Sequence, residues 1–171
     1  MEKIYSSFEQ KKLLTLFCSS IFFFLFLEAS IANAQLIVTT PVVASDVVSK
    51  LLGCNSVASN ITLSSCGTAV GYFNGVNTNL GIDSGILFSS GNANFAVGPN
   101  NSCCQGTDNG CAGNAALTAL CGQPTFNAAI LDFDVVLNVD TLRFNYVFGS
   151  DEYSEWVGTS YNDVFALWLS G

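Results

Sequence analysis

The sequence predicts a mainly β domain, an antiparallel β-sandwich or jelly-roll-like pair of sheets with one short N-terminal helix. Three observations point there. Between residues 131 and 148, apolar and polar residues alternate with the period of two that half-buries a strand. Upstream, short apolar runs are bounded by clusters of glycine, asparagine and serine, the punctuation of an all-β chain. Helical spacing of apolar residues is read in one stretch, 42–52.

Residues 1–34 read as a signal peptide outside that fold. Lys3, Lys11 and Lys12 precede an apolar run at 13–27 that contains five phenylalanines, and Ala32-Asn33-Ala34 supplies a small-x-small cleavage pattern. The run is shorter than the roughly 20 residues that a membrane-spanning helix needs. Cys18 lacks the small residue that a lipoprotein anchor would need just before it. The expectation is export, to the medium or the cell surface, with one domain at 35–171 and no membrane insertion within it.

The elements follow in order. Val43, Val47, Val48, Leu51 and Leu52 fit one face of a short helix that Gly53 stops. Residues 57–63 are strand-like and contain the glycosylation sequon Asn60-Ile61-Thr62, which matters only in a eukaryotic secretory route. Val70, Tyr72 and Phe73 are core contacts of a Gly/Asn-rich stretch, and Ile86-Leu87-Phe88 is a short buried strand between glycine turns. No Gly-Lys-Ser/Thr follows those glycines, so they form no phosphate loop. Residues 98–125 read as a long irregular loop, stapled by cysteines.

Next comes a hairpin. Leu131, Phe133, Val135 and Leu137 line one face of its first strand. Asn138-Val139-Asp140 makes the turn, and Leu142, Phe144, Tyr146 and Phe148 line the second strand. That register sets Arg143 opposite Asp132 or Asp134. After an acidic turn, Phe165, Leu167 and Leu169 form the inward face of a third strand. The sequence stops there on an open apolar edge, so the expectation is a chain truncated before its last strands and anchor.

Charge narrows the partners. Beyond residue 34 the only cations are Lys50 and Arg143 against ten carboxylates, so the whole net charge of −8 lies there. A nucleic-acid partner requires a basic footprint and is excluded, and anionic lipid is disfavoured. Of seven cysteines, six remain after the leader: Cys54, Cys66, Cys103, Cys104, Cys111 and Cys121. An even count in an exported chain implies disulfides. Cys103 and Cys104, as sequence neighbours, rarely join. The expected set is Cys54–Cys66, with the other four bracing the 100–122 loop. Zinc is a weak rival without histidine or a CxxC pair.

Several blocks carry a family resemblance: Tyr146-Val147-Phe148-Gly149-Ser150-Asp151-Glu152-Tyr153, Tyr161-Asn162-Asp163-Val164-Phe165, the run from Gly81 to Gly91, Gly98-Pro99-Asn100 and Ala129-Ile130-Leu131-Asp132-Phe133-Asp134. In this order, with the helix ending at Leu51-Leu52-Gly53, they resemble the choice-of-anchor L domain of bacterial exported proteins. Asp151 stands where that family often has Glu, and the cysteine-rich loop resembles a local addition. The resemblance implies a surface or secreted module and supplies no reaction.

The acidic turn holds the candidate site. Asp151, Glu152, Glu155, Asn162 and Asp163 offer the hard oxygens that Ca²⁺ takes, although most such turns are merely solvated. Tyr153, Trp156 and Tyr161 beside them are stacking platforms for an extracellular polysaccharide or contacts for a cell-surface protein, or else edge packing. The expected function is binding or adhesion without catalysis. The alternative is a carbohydrate-active hydrolase or accessory glycan-binding domain, using a carboxylate pair such as Glu152 and Asp163. The absence of histidine removes Ser-His and Cys-His chemistry from these residues.

Overall fold

The computed structural model describes residues 35–53, 56–102, 105–150 and 156–171. The leader, Cys54, Cys103, Cys104 and most of the acidic turn therefore lie outside the described residues. The described elements are mainly β, in two antiparallel sheets. One has the order β1 (Ile37–Thr39), β3 (Val70–Asn74), β4 (Ser84–Phe88), and the other pairs β2 (Ser56–Ser64) with β5 (Ile130–Leu137). This agrees with the expected class and is compatible with a sandwich.

The predicted helix is α1 (Ala44–Leu52). Asp46 in its first turn and Lys50 in its last complement the helix dipole. Gly53, at φ 67°, ends it by donating its N–H to the Ser49 carbonyl. Val47 and Val48 are fully buried and, with Ala69, Val70 and Ala93, make the core. Val43 and Leu51, expected on the same face, are 60% and 40% exposed. The helix buries a narrower stripe than its spacing suggested.

Strand β2 covers the predicted segment, and β5 shows the predicted alternation, with Leu131, Phe133, Val135 and Leu137 on its less exposed face. The two pair from Ser56↔Leu137 to Ser64↔Ile130, with a register shift between Ser59 and Thr62. Asn60 takes φ 53° at that bulge, a left-handed conformation that asparagine tolerates. Its side-chain amide donates to the Asp134 carboxylate. In the other sheet, β4 is half-buried rather than buried, and Phe88 is 36% exposed.

Three expectations are corrected. The stretch 98–125 is not irregular throughout: α2 (Ala115–Cys121) interrupts it. Asn114 caps this helix by accepting from the N–H groups of Ala116 and Leu117, and Gly122, at φ 73°, closes it. The hairpin after β5 does not form. Residues 141–150 form neither a helix nor a strand, and Phe144, Tyr146 and Phe148 are 41%, 69% and 54% exposed. Asp132 and Asp134 pair with Thr62 and Ser59 of β2, and among the described residues no ladder on the other edge of β5 sets Arg143 opposite them. The turn Asn138-Val139-Asp140 lacks the glycine that tight hairpin connections favour. Likewise 161–171 makes no strand, and Phe165, Leu167 and Leu169 point outward at 52%, 60% and 75% exposure. A strand needs a ladder partner as well as an apolar rhythm, and among the described residues this segment has none.

Candidate functional site

The C-terminal side chains of the expected site are set by a tight turn. The Thr159 N–H donates to the Trp156 carbonyl at 3.0 Å. Gly158 sits inside at φ 81°, a left-handed position that suits glycine. The Tyr161 N–H then donates to the Thr159 hydroxyl at 3.2 Å, which carries the chain out of the turn. This geometry brings the Trp156 and Tyr161 rings together edge-to-face, 5.1 Å between centroids and 72° between planes. Trp156 is half-buried, and Tyr161 is 62% exposed.

Asn162 and Asp163 follow, both exposed. Asp163 accepts from the Ser90 hydroxyl at 3.2 Å, which ties the segment to the loop leaving β4. That loop is braced by the Gly91 N–H donating to the Ser89 hydroxyl at 3.0 Å. Sequence reasoning missed Ser90, because a serine in a Ser-Ser-Gly turn gives no sign of a partner 73 residues away. Asp151, Glu152, Tyr153 and Glu155 lie outside the described residues. The structure thus brings together Trp156, Tyr161, Asn162 and Asp163. Among the described residues no group of three or more His, Cys, Asp and Glu side chains is poised for a metal.

The disulfide set is also corrected. Cys66 joins Cys111, with Cα atoms 6.2 Å apart, so it does not pair with Cys54. The reason is spatial: the 105–112 segment runs beside the end of β2, where the Asn109 side-chain amide donates to the Cys66 carbonyl at 3.3 Å. Cys121, at the end of α2, carries a free thiol. Cys54, Cys103 and Cys104 fall outside the described residues.

A second polar cluster, unforeseen in the sequence, holds this loop. Asn127 is 8% exposed and adopts φ 51°. Its carbonyl oxygen accepts from the Cys111 N–H at 2.9 Å, and its amide donates to Asp108 at 2.9 Å. Its own N–H donates to the Cys111 carbonyl at 3.0 Å. Asp108 also accepts from the Gly110 N–H at 2.8 Å. The Asn127 hydrogen bond first, then that of Gly110, hold the Asp108 carboxyl below its ordinary value against a smaller opposing effect of burial. Every polar atom of the Asn127 side chain is thus engaged within the loop, and the cluster is a fastening.

No helix among the described residues is long and apolar enough to cross a membrane. The family model described as Choice-of-anchor L domain matches residues 35–171. No curated protein and no solved structure matches the chain.

Proposed function

The chain belongs to the choice-of-anchor L domain family, and from that premise we propose that it is an exported binding or adhesion module without catalytic activity. Membership makes it a surface or exported protein module. The signal-peptide pattern of residues 1–34 supports export in particular.

The observation that carries the binding reading is the aromatic turn. Trp156 and Tyr161 offer ring faces and edges, and the exposed Asn162 and Asp163 follow them directly in sequence. Flat rings flanked by hydrogen-bonding groups suit the apolar faces and hydroxyls of a polysaccharide. Calcium dependence is the finer part of the proposal. Asp163 and Asn162 would act with Asp151, Glu152 and Glu155, an oxygen-only donor set of the kind Ca²⁺ takes.

Two measurements test this. Trp fluorescence titrations with cell-wall and matrix glycans should show saturable binding, weakened about tenfold by Trp156→Ala through lost ring contact. A flat response across the panel removes the carbohydrate reading. Melting curves in excess calcium should lie above those in excess chelator, and coincident curves remove the calcium reading.

A further inference from the structure

We propose that Gln35 is a modification site: once the leader is removed it becomes the terminal residue and closes to a pyroglutamate lactam. The proposal rests on the export part of the reading above and not on the glycan or calcium parts.

Three observations bring the terminus to Gln35. The small-x-small pattern Ala32-Asn33-Ala34 directs cleavage to the bond just before it. The match to the family model begins at the same residue. The compact unit that contains the domain begins at Ala34, one residue earlier. A cut at this bond therefore leaves the domain whole and makes a glutamine its first residue. In a terminal glutamine the side-chain Cδ lies within reach of the residue's own α-amine, through a five-membered ring.

The fold leaves that residue free to react. The ladder of β1 with β3 starts at Ile37↔Asn74, so sheet pairing fixes the backbone from Ile37 onward. Gln35 is exposed, and among the described residues its N–H donates no backbone hydrogen bond. Its side chain rests against Gly98, with Nε2 donating to the Gly98 carbonyl at 3.2 Å. Gly98 closes the short 3-10 helix Ala93–Val97 and is itself exposed. Water therefore replaces the lost donor when Nε2 departs.

The step balances within the residue. The neutral α-amine attacks Cδ and the N–Cδ bond forms. The Cδ–Nε2 bond breaks, and Nε2 leaves as ammonia with the proton that the amine gives up. No oxidant, reductant or second substrate is consumed. A terminal amine has a pKa of roughly 8, so its reactive neutral form is present near neutral pH.

Closure changes the terminus in two ways. It removes the charge of a terminal ammonium, so Lys50 and Arg143 stay the only cations beyond residue 34. It also leaves no free amine for an aminopeptidase, which would otherwise begin two residues before β1, an edge strand of its sheet.

The test is to express the full chain with its own leader, purify the exported protein and read its N-terminal peptide by mass spectrometry. The expected peptide begins at residue 35 and is lighter than the open form by one ammonia. An amine-reactive reagent should label Lys50, the only lysine beyond residue 34, and not the terminus. Gln35→Ala, which has no side-chain amide to attack, should be cleaved at the same bond and take the label at both places. A peptide that begins at an open Gln35 overturns the proposal and leaves the export reading standing. A cut at another bond also overturns the proposal, and an intact leader overturns both. A synthetic peptide of residues 35–41 carried through the same work-up should stay open. If it closes as fully as the protein does, the lactam is a product of handling and the proposal falls.

Discussion

Asp108 shows how one side chain can fasten a loop that has little core beneath it. Its carboxylate holds the Asn127 amide and the Gly110 N–H, and Asn127 in turn holds the backbone at Cys111. Because the folded pKa is lowered from 3.8, Asp108 contributes stability that is fully present above that value. The contribution fades as pH falls through the lowered folded value. Melting temperatures measured down a pH series should therefore drop below about pH 4, and Asp108→Asn should flatten part of that drop. Neither Asp108 nor Asn127 stood out in the sequence. Asparagine and aspartate are common in loops, and only the fold shows which pair meets across 19 residues. The same holds for Ser90 and Asp163. By contrast Trp156, Tyr161, Asn162 and Asp163 were legible, because aromatic and acidic types crowd into one short turn.

At the scale of elements, legibility followed how local the signal was. Helix α1 was readable from its valine and leucine spacing and Gly53, and β2 and β5 from apolar alternation. Helix α2 was missed although Asn114 and Gly122 are ordinary start and stop residues, because its cysteine-rich surroundings suggested a stapled coil. Its cap is also tied to the far side of the loop: the Asn114 N–H donates to the Thr125 hydroxyl at 3.0 Å, and that hydroxyl donates to the Asn114 carbonyl at 3.1 Å. Replacing Asn114 by Ala removes the side-chain cap and should cost about 1 kcal/mol, whereas Asn114→Gly should cost only a few tenths. Chemical denaturation of the two variants checks this. Strand pairing was the least readable level. Alternation marks both β5 and residues 142–148, but it does not say that β5 pairs with β2, some 70 residues earlier.

Across the whole molecule, the described residues bury few side chains completely, and Val47 and Val48 are the largest of them. Covalent bracing accordingly carries weight. The Cys66–Cys111 bond spans 45 residues of sequence, and closing a loop of that size removes unfolded-chain entropy worth about 4 kcal/mol. Unfolding with and without a reductant should show a loss of that order, and Cys111→Ser should reproduce it. Class and family were legible from the sequence at this scale, whereas the disulfide partner was not, since cysteine spacing carries no information on which segments run side by side. The scarcity of cations has a last consequence, for enzymatic digestion. A trypsin-like protease finds only Lys50 and Arg143 beyond residue 34. Lys50 is wound into the last turn of α1, with its ammonium 5.1 Å from the Tyr72 ring centroid, while Arg143 lies on an exposed segment without a ladder. Brief digestion should therefore cut between residues 35 and 171 once, after Arg143, and separate the segment that begins at Phe144 while both sheets survive, a pattern that mass spectrometry of the fragments reads directly.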